Sequence, residues 1–208
     1  MAHQIRNPVA IIKANASVIL ERENLSPESR RSMESILNGV QYLGERLDEL
    51  VEFSKPLALK FNPVDLSKLI TETLAIVKDS CKLKRIQISS NLGEVMLKHA
   101  DKNQLFIALT NLLLNAIEAI PDGGGKLSVK ANIEGGEACV MVEDNGSGIH
   151  PRDLLEAFTP FYSTKPNSIG IGLSVAKRIV EAHGGKIGLK SVKDQGTQAW
   201  VSLPILQA

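Results

Sequence analysis

The chain opens on two apolar stripes written at helical period. Ile5, Val9, Ile12, Ala16 and Ile19 recur every three to four residues, and Ile11 and Val18 add a second stripe. This spacing predicts a helix over residues 4–22. Asn24 to Pro27 reads as a turn, with Ser26 placed to cap the next helix and Pro27 at its first position. Residues 27–54 carry Met33, Ile36, Val40, Leu43, Leu47 and Leu50, three heptads of a and d positions, and Pro56 ends the run. A helical hairpin alone cannot bury both stripes. The pattern therefore predicts a homodimer in which two hairpins form a four-helix bundle.

Beyond Pro56 the period changes. Residues 57–63 read as a linker, and from Val64 helices alternate with strands. Asp65 or Ser67 caps a helix reaching about Lys78. Ile86 to Asn91 and Val95 to Lys98 read as strands, and Asp101 caps a long helix to Ile120. Leu127 to Ile133 and Ala138 to Val142 pair as a hairpin across Gly135-Gly136. A helix over 171–183 closes at Gly184-Gly185, and Lys186 to Val192 and Thr197 to Leu203 make the last hairpin. The fold class expected is α+β. Residues 1–56 form a dimerisation hairpin, 57–63 a linker, and 64–208 a sandwich of three helices on one mixed sheet.

Charge and cysteine content narrow the function classes. The 208 residues include 24 basic and 23 acidic side chains, for a net charge of +1. That gives no electrostatic case for nucleic acid or for contact with an anionic membrane. No apolar run approaches the length of a membrane span. Cys81 and Cys139 are far apart, with no histidine at metal-ligand spacing, and read as reduced thiols. A helix that starts two residues before a histidine looks cut from something longer. The expectation is a cytoplasmic part of a longer protein, membrane-anchored or not.

Chemistry concentrates between Asp144 and Leu173. Asp144-Asn145-Gly146-Ser147-Gly148-Ile149 follows an apolar strand, which sets a carboxylate beside backbone that a flat ring can approach. Gly170-Ile171-Gly172-Leu173 opens a helix and leaves its first amides uncovered, an arrangement that binds phosphate. Phe158 to Lys165 lies between them, with the composition of a lid. The reading is one nucleotide site, with the base at Asp144 and phosphates at Gly170 to Leu173. Asn111 and Asn115, four apart on a leucine-rich helix, supply a polar floor beneath it. Near the start, His3 and Asn7 share a face that continues through the small residues Ala10, Ala14 and Ser17. His3 is expected to point to water, where a neutral imidazole nitrogen can attack a γ-phosphoryl group.

With Asn111-Leu-Leu-Leu-Asn115-Ala116, these blocks resemble the N, G1, F and G2 boxes of the GHKL ATPases. With His3-Gln4-Ile5-Arg6-Asn7-Pro8, nearly the whole chain resembles a bacterial sensor histidine kinase of the nitrogen-regulation type with a short lid. The resemblance implies ATP and Mg²⁺ as cofactors and a response-regulator receiver domain as partner. It implies His3 as phospho-acceptor and Asn7 as the residue aligning water when the partner is dephosphorylated. Asn115 becomes a magnesium ligand with Asn111 as its helper. Glu118 either reaches a metal-bound water or is simply solvated. Asp144 accepts the adenine amine, Gly146 and Gly148 approach the ring by backbone, and Ile149 lies against it. Phe161, with Phe158, pins the lid or packs in the core. Thr164 and Lys165 face phosphate beside Gly170, Gly172 and Leu173. Thr197 matches the final small box, or marks a bulge.

Two departures bear on activity. Gln4 stands where most relatives carry Glu or Asp; its amide orients an imidazole but takes no proton. Ser168-Ile169 replaces a Gly-Thr pair in the phosphate loop. Both keep open an alternative, a kinase-weak and phosphatase-biased module that binds ATP. A different GHKL ATPase is the remaining alternative, and the histidine hairpin argues against it.

Overall fold

The computed structural model describes residues 2–21, 25–54, 56–165 and 168–205. Asn24 of the expected turn, and the side chains of His3, Gln4, Ile5 and Leu50, lie outside the described residues. The chain divides into two compact units, Met1–Pro56 and Leu57–Ala208.

The first unit is a helical hairpin of α1 (Ala2–Leu20) and α2 (Pro27–Ser54). The Ser29 N–H donates to Ser26 Oγ at 3.1 Å, so Ser26 caps α2 as its position in the sequence predicts. Ala16 and Val40 are buried between the helices. Ile11, Ile12, Val18, Ile36 and Leu43 remain 41% to 61% exposed. A single hairpin thus leaves much of its apolar surface in water. Asn7, Ala10 and Ala14 are exposed as well. No helix among the described residues is long and apolar enough to cross a membrane.

The second unit contains β1 (Asn62–Asp65), α3 (Leu66–Leu83), β2 (Ile86–Leu92), β3 (Met96–Ala100) and α4 (Lys102–Ala119). It continues with β4 (Gly125–Glu134), β5 (Glu137–Asp144), α5 (Pro151–Glu156), α6 (Gly172–Ala182), β6 (Lys186–Val192) and β7 (Gly196–Pro204). Five strands form one mixed sheet in the order β2-β4-β5-β7-β6, with β2 and β4 parallel and the rest antiparallel. Inward residues of these strands, among them Leu127, Val129, Val140, Val142 and Val201, join one core with the apolar faces of α3, α4 and α6.

Three elements differ from the sequence reading. The helix expected to stop near Lys78 runs to Leu83, because Val77 and Cys81 carry its buried stripe one turn further. Burial pushes the Cys81 thiol up, consistent with an inert core cysteine. Residues 62–65, read as linker and helix entry, form β1, which pairs with β3 in a separate two-stranded sheet. The register shifts between Asn62 and Val64, around Pro63, the place where a residue without an N–H fits a strand. Residues 150–157, to which the sequence reading gave no element, contain α5. Its N-cap is His150, whose Nδ1 accepts the Arg152 N–H at 3.2 Å, outside the usual Ser, Thr, Asp and Asn set.

A buried polar cluster ties the start of this unit to its helices. Asp101 caps α4 by accepting the N–H groups of Asn103 (3.0 Å) and Gln104 (3.1 Å), and it also accepts the Lys60 N–H at 2.7 Å. The Asp101 N–H donates to His183 Nε2 at 2.9 Å, and His183 Nδ1 lies 2.8 Å from the Ile179 carbonyl. His183 is therefore the neutral Nδ1–H tautomer. Phe61 stacks on His99 with ring centroids 4.2 Å apart and meets His183 edge-on at 5.6 Å.

Burial pushes the His183 imidazole below its usual value, against the opposing pull of the Ile179 carbonyl and the Asp101 carboxylate. Between its unfolded value, about 6.5, and that lower folded value, the unfolded chain binds the proton and the folded one does not. The stability His183 confers is thus full above about pH 6.5 and falls as pH drops, by at most about 1.4 kcal/mol per pH unit. Urea midpoints measured between pH 7.5 and 5.5 should decline, and His183→Gln should flatten the decline. An equal slope in the variant would refute this assignment.

Candidate nucleotide site

Alternation along the sheet builds the floor of the site. Ala138, Val140, Val142 and Asp144 follow one another on the inward face of β5, and Asp144 is the last of the row. In register it pairs with Thr197 of β7, which pairs with Ser191 of β6. The inward face therefore changes from aliphatic to a polar rung, Asp144–Thr197–Ser191, at one end of the sheet. Asp144 is only 7% exposed. Burial pushes its carboxyl up, while the N–H groups of Gly146 and Thr197 and the nearby Lys165 pull it back only in part.

The sequence reading accounted for this buried carboxylate by an adenine amine. The loop itself already satisfies part of it, since the Gly146 N–H donates to Oδ1 at 2.8 Å. Two carboxylate oxygens have capacity for more. Ser191, which sequence reasoning missed, joins the loops around the rung. Its Oγ accepts the Ile149 N–H at 2.8 Å and shares a 2.8 Å hydrogen bond with Thr197 Oγ1. The signal was present: Ile187, Leu189 and Ser191 share one strand face, and only the serine is polar.

Helices α4 and α6 supply a second wall. They pack side by side, and a Cβ added at Gly172 would meet Asn111 Oδ1 at 2.9 Å and Asn115 Nδ2 at 3.5 Å. Glycine lets the first turn of α6 lie directly on the two asparagines. Ile171 precedes that turn and makes no side-chain capping bond. The leading amides of α6 thus keep their donor capacity beside the Asn115 amide. Asn115 lines the cavity; Asn111 does not, and donates its Nδ2 to the Ile107 carbonyl at 2.9 Å.

The lid closes at a neck. The Phe161 N–H donates to the Gly170 carbonyl at 3.0 Å, and Phe161 adopts φ +69°. Phe161 is 58% exposed and belongs neither to the core nor to the cavity wall. Phe158 is half-buried, with Lys177 Nζ 5.6 Å from its ring centroid. Above the neck, the Tyr162 hydroxyl donates to Asp153 of α5 at 2.7 Å, and Lys165 Nζ meets Glu118 of α4 at 2.6 Å.

These walls enclose a cavity of about 470 Å³. Its sheet end holds Asp144, Gly148, Ile149 and Thr197, and its helix and lid end holds Asn115, Thr164, Lys165, Gly170, Gly172 and Leu173. Asn111, Glu118, Gly146 and Phe161 adjoin it without lining it. His150, Asp153 and Tyr162 are wall residues that the sequence reading did not single out. Among the described residues no group of three or more His, Cys, Asp or Glu is placed to hold a metal.

Residues 100–207, just over half of the chain, match the family model of the histidine kinase-, DNA gyrase B- and HSP90-like ATPases. The chain belongs to that family. Residues 1–58 match the His kinase A (phospho-acceptor) domain, so the chain carries the domain pair of a sensor histidine kinase core. It is 35% identical over 208 residues to the sensor histidine kinase ZraS of Salmonella typhimurium, covering 99% of this chain and 44% of that protein. It is 30% identical over 207 residues to the signal transduction histidine-protein kinase AtoS of Escherichia coli, covering 99% of this chain and 34% of that protein. The chain spans less than half the length of these curated relatives. Among solved structures, full-length ShkA in complex with AMPPNP superposes with a TM-score of 0.80 at 25% identity, over 100% of this chain and 45% of that one.

Proposed function

We propose that this chain is the kinase core of a two-component sensor histidine kinase of the nitrogen-regulation-like, short-lid kind. Residues 1–56 form the dimerisation and phosphotransfer hairpin, and the ATP-binding domain follows directly, with Lys60, Phe61 and β1 already part of it rather than of a free linker. ATP phosphorylates His3, and a response-regulator aspartate then takes the phosphoryl group. The single observation that carries the reading is the convergence of three different polar groups on one cavity. A buried carboxylate, an uncapped helix N-terminus and an asparagine amide line the same 470 Å³. These suit, in turn, the exocyclic amine of a purine, its phosphates and a hard cation.

The donor set also fits magnesium. Mg²⁺ takes oxygen ligands and keeps waters and substrate phosphates, so it needs no cage of carboxylates. Asn115 lines the cavity with its amide nitrogen toward the first turn of α6, its amide oxygen would hold the cation, and the cation would supply neutralisation of phosphate charge. The leading N–H groups of α6 hold phosphate oxygens through hydrogen bonds and the helix dipole. Asp144 and Ile149 orient the base. Phosphoryl transfer depends on positioning and charge compensation more than on covalent help. His3 supplies the nucleophilic nitrogen, and Gln4 orients the ring without taking its proton. Asn7, exposed on the same helix, orients water in the reverse, phosphatase reaction. The exposed stripes of α1 and α2 are what a second copy covers, giving a homodimer.

Incubation with γ-³²P-ATP and Mg²⁺ tests the proposal. The expected label is acid-labile and alkali-stable, maps to His3 by mass spectrometry, and disappears in His3→Gln. A protein that binds ATP but never labels His3, at any concentration that supports dimers, would sink it.

A further inference from the structure

Glu118 stands on the last turn of α4, three residues beyond Asn115. Its carboxylate meets the ammonium of Lys165 at 2.6 Å, joining helix to lid. Lys165 lines the cavity and Glu118 lies just behind it. The charge around the cavity makes this pairing consequential. Among the described residues its wall carries three carboxylates, Asp144, Asp153 and Asp194, against two ammonium groups, Lys165 and Lys193. Asp153 is occupied by the Tyr162 hydroxyl, and Lys193 adjoins Asp194 in the turn between β6 and β7. Lys165 is thus the cation that the lid offers to an anionic ligand, and in this structure a protein carboxylate already holds it.

We propose that Glu118 is a built-in competitor of nucleotide phosphate for Lys165. In the nucleotide-free site it neutralises and positions the lid lysine. Phosphate binding is then an exchange of one anion for another at Nζ. This assigns Glu118 a role as a positioning residue that sets affinity, and it rests on the nucleotide reading of the cavity. Both partners are partly exposed, with side-chain accessibilities of 39% and 53%. Exposed pairs are weak and screened by salt, so the exchange is easy and its effect several-fold.

The test is calorimetric titration of ATP with Mg²⁺ into the full chain, its Glu118→Gln and Lys165→Met variants, and the double variant. Glu118→Gln should tighten binding about two- to fivefold at low salt, with the gain shrinking as salt rises. Lys165→Met should weaken binding, and in that background Glu118→Gln should add nothing. A second readout needs no nucleotide: acylation of the Lys165 amine, followed by mass spectrometry, should be faster in Glu118→Gln than in wild type. Unchanged or weaker binding by Glu118→Gln overturns the proposal. So does an equal gain in the Lys165→Met background, which would mean general repulsion between Glu118 and phosphate. If wild type binds no ATP while Lys165 reactivity still depends on Glu118, the nucleotide reading fails and the exchange falls with it, although the pair itself stands.

Discussion

Asp144→Asn is expected to weaken ATP binding by about 10- to 100-fold while the domain stays folded. The carboxylate sits at the end of a buried row, where it accepts the Gly146 N–H and still has acceptor capacity facing the cavity. Asn has one oxygen where Asp has two. It cannot serve the Gly146 and Thr197 N–H groups and an exocyclic amine together. A hydrogen bond to a charged acceptor contributes about 1.5–3 kcal/mol, which is roughly that loss of affinity. Comparison with inosine triphosphate sharpens the result. A keto oxygen in place of the amine should cost wild type most of its affinity and the variant little. Calorimetric titration with both nucleotides, alongside circular dichroism melts, decides it. An affinity for ATP within twofold of wild type would mean that the base is held elsewhere.

The second large effect is on stability. Asp101→Ala should lower the melting temperature of the ATPase domain by about 5–15 °C. The side chain caps α4 and fastens Lys60 through three N–H groups, and it is 6% exposed. Loss of an N-cap costs about 0.5–2 kcal/mol, and leaving a further buried N–H unpaired adds about 1–3 kcal/mol. Burial alone would raise this carboxyl. The hydrogen bonds from Lys60, Gln104 and Asn103, with His183 nearby, outweigh it and hold the group below its usual value. Its stabilisation is therefore present above the unfolded carboxyl value, about 3.9, and is lost as pH falls through the folded one. That window opens at about 3.9, whereas the one set by His183 opens at about 6.5, so the acid decline in stability should steepen again below about 3.9. Asp101→Ala should remove that second fall and, by taking away the carboxylate that pulls His183 up, extend the first to lower pH. A melting temperature unchanged by the substitution would show that water or another side chain takes over the cap.

Which parts of this molecule were legible from the chain follows from how local their causes are. The hairpin helices, the caps at Ser26 and Asp101, and the Gly135-Gly136 turn depend on neighbours within a few residues, and the sequence displays them. Asp144 and the Gly170–Gly172 turn were legible because a carboxylate ends one periodic run and glycines open another. What escaped depends on partners far along the chain. Strand β1 exists only because β3 pairs with it. Ser191 gains its role from Ile149, 42 residues away, and the pairing of Lys165 with Glu118 spans 47. Asn111 and Asn115 looked equivalent at helical spacing, yet the approach of Gly172 separates them: one lines the cavity, and the other packs behind it.

The backbone bond between Phe161 and Gly170 has one more consequence, for how such a protein can diverge. It fixes the two ends of the intervening segment independently of what lies between them. Closing a flexible loop twice as long costs only about 0.6 kcal/mol more. Residues can therefore be inserted or lost above the neck while Gly170 and the start of α6 keep their place on Asn111 and Asn115. Lid length and phosphate geometry become separate variables, and an engineered graft in this loop would change the first without disturbing the second.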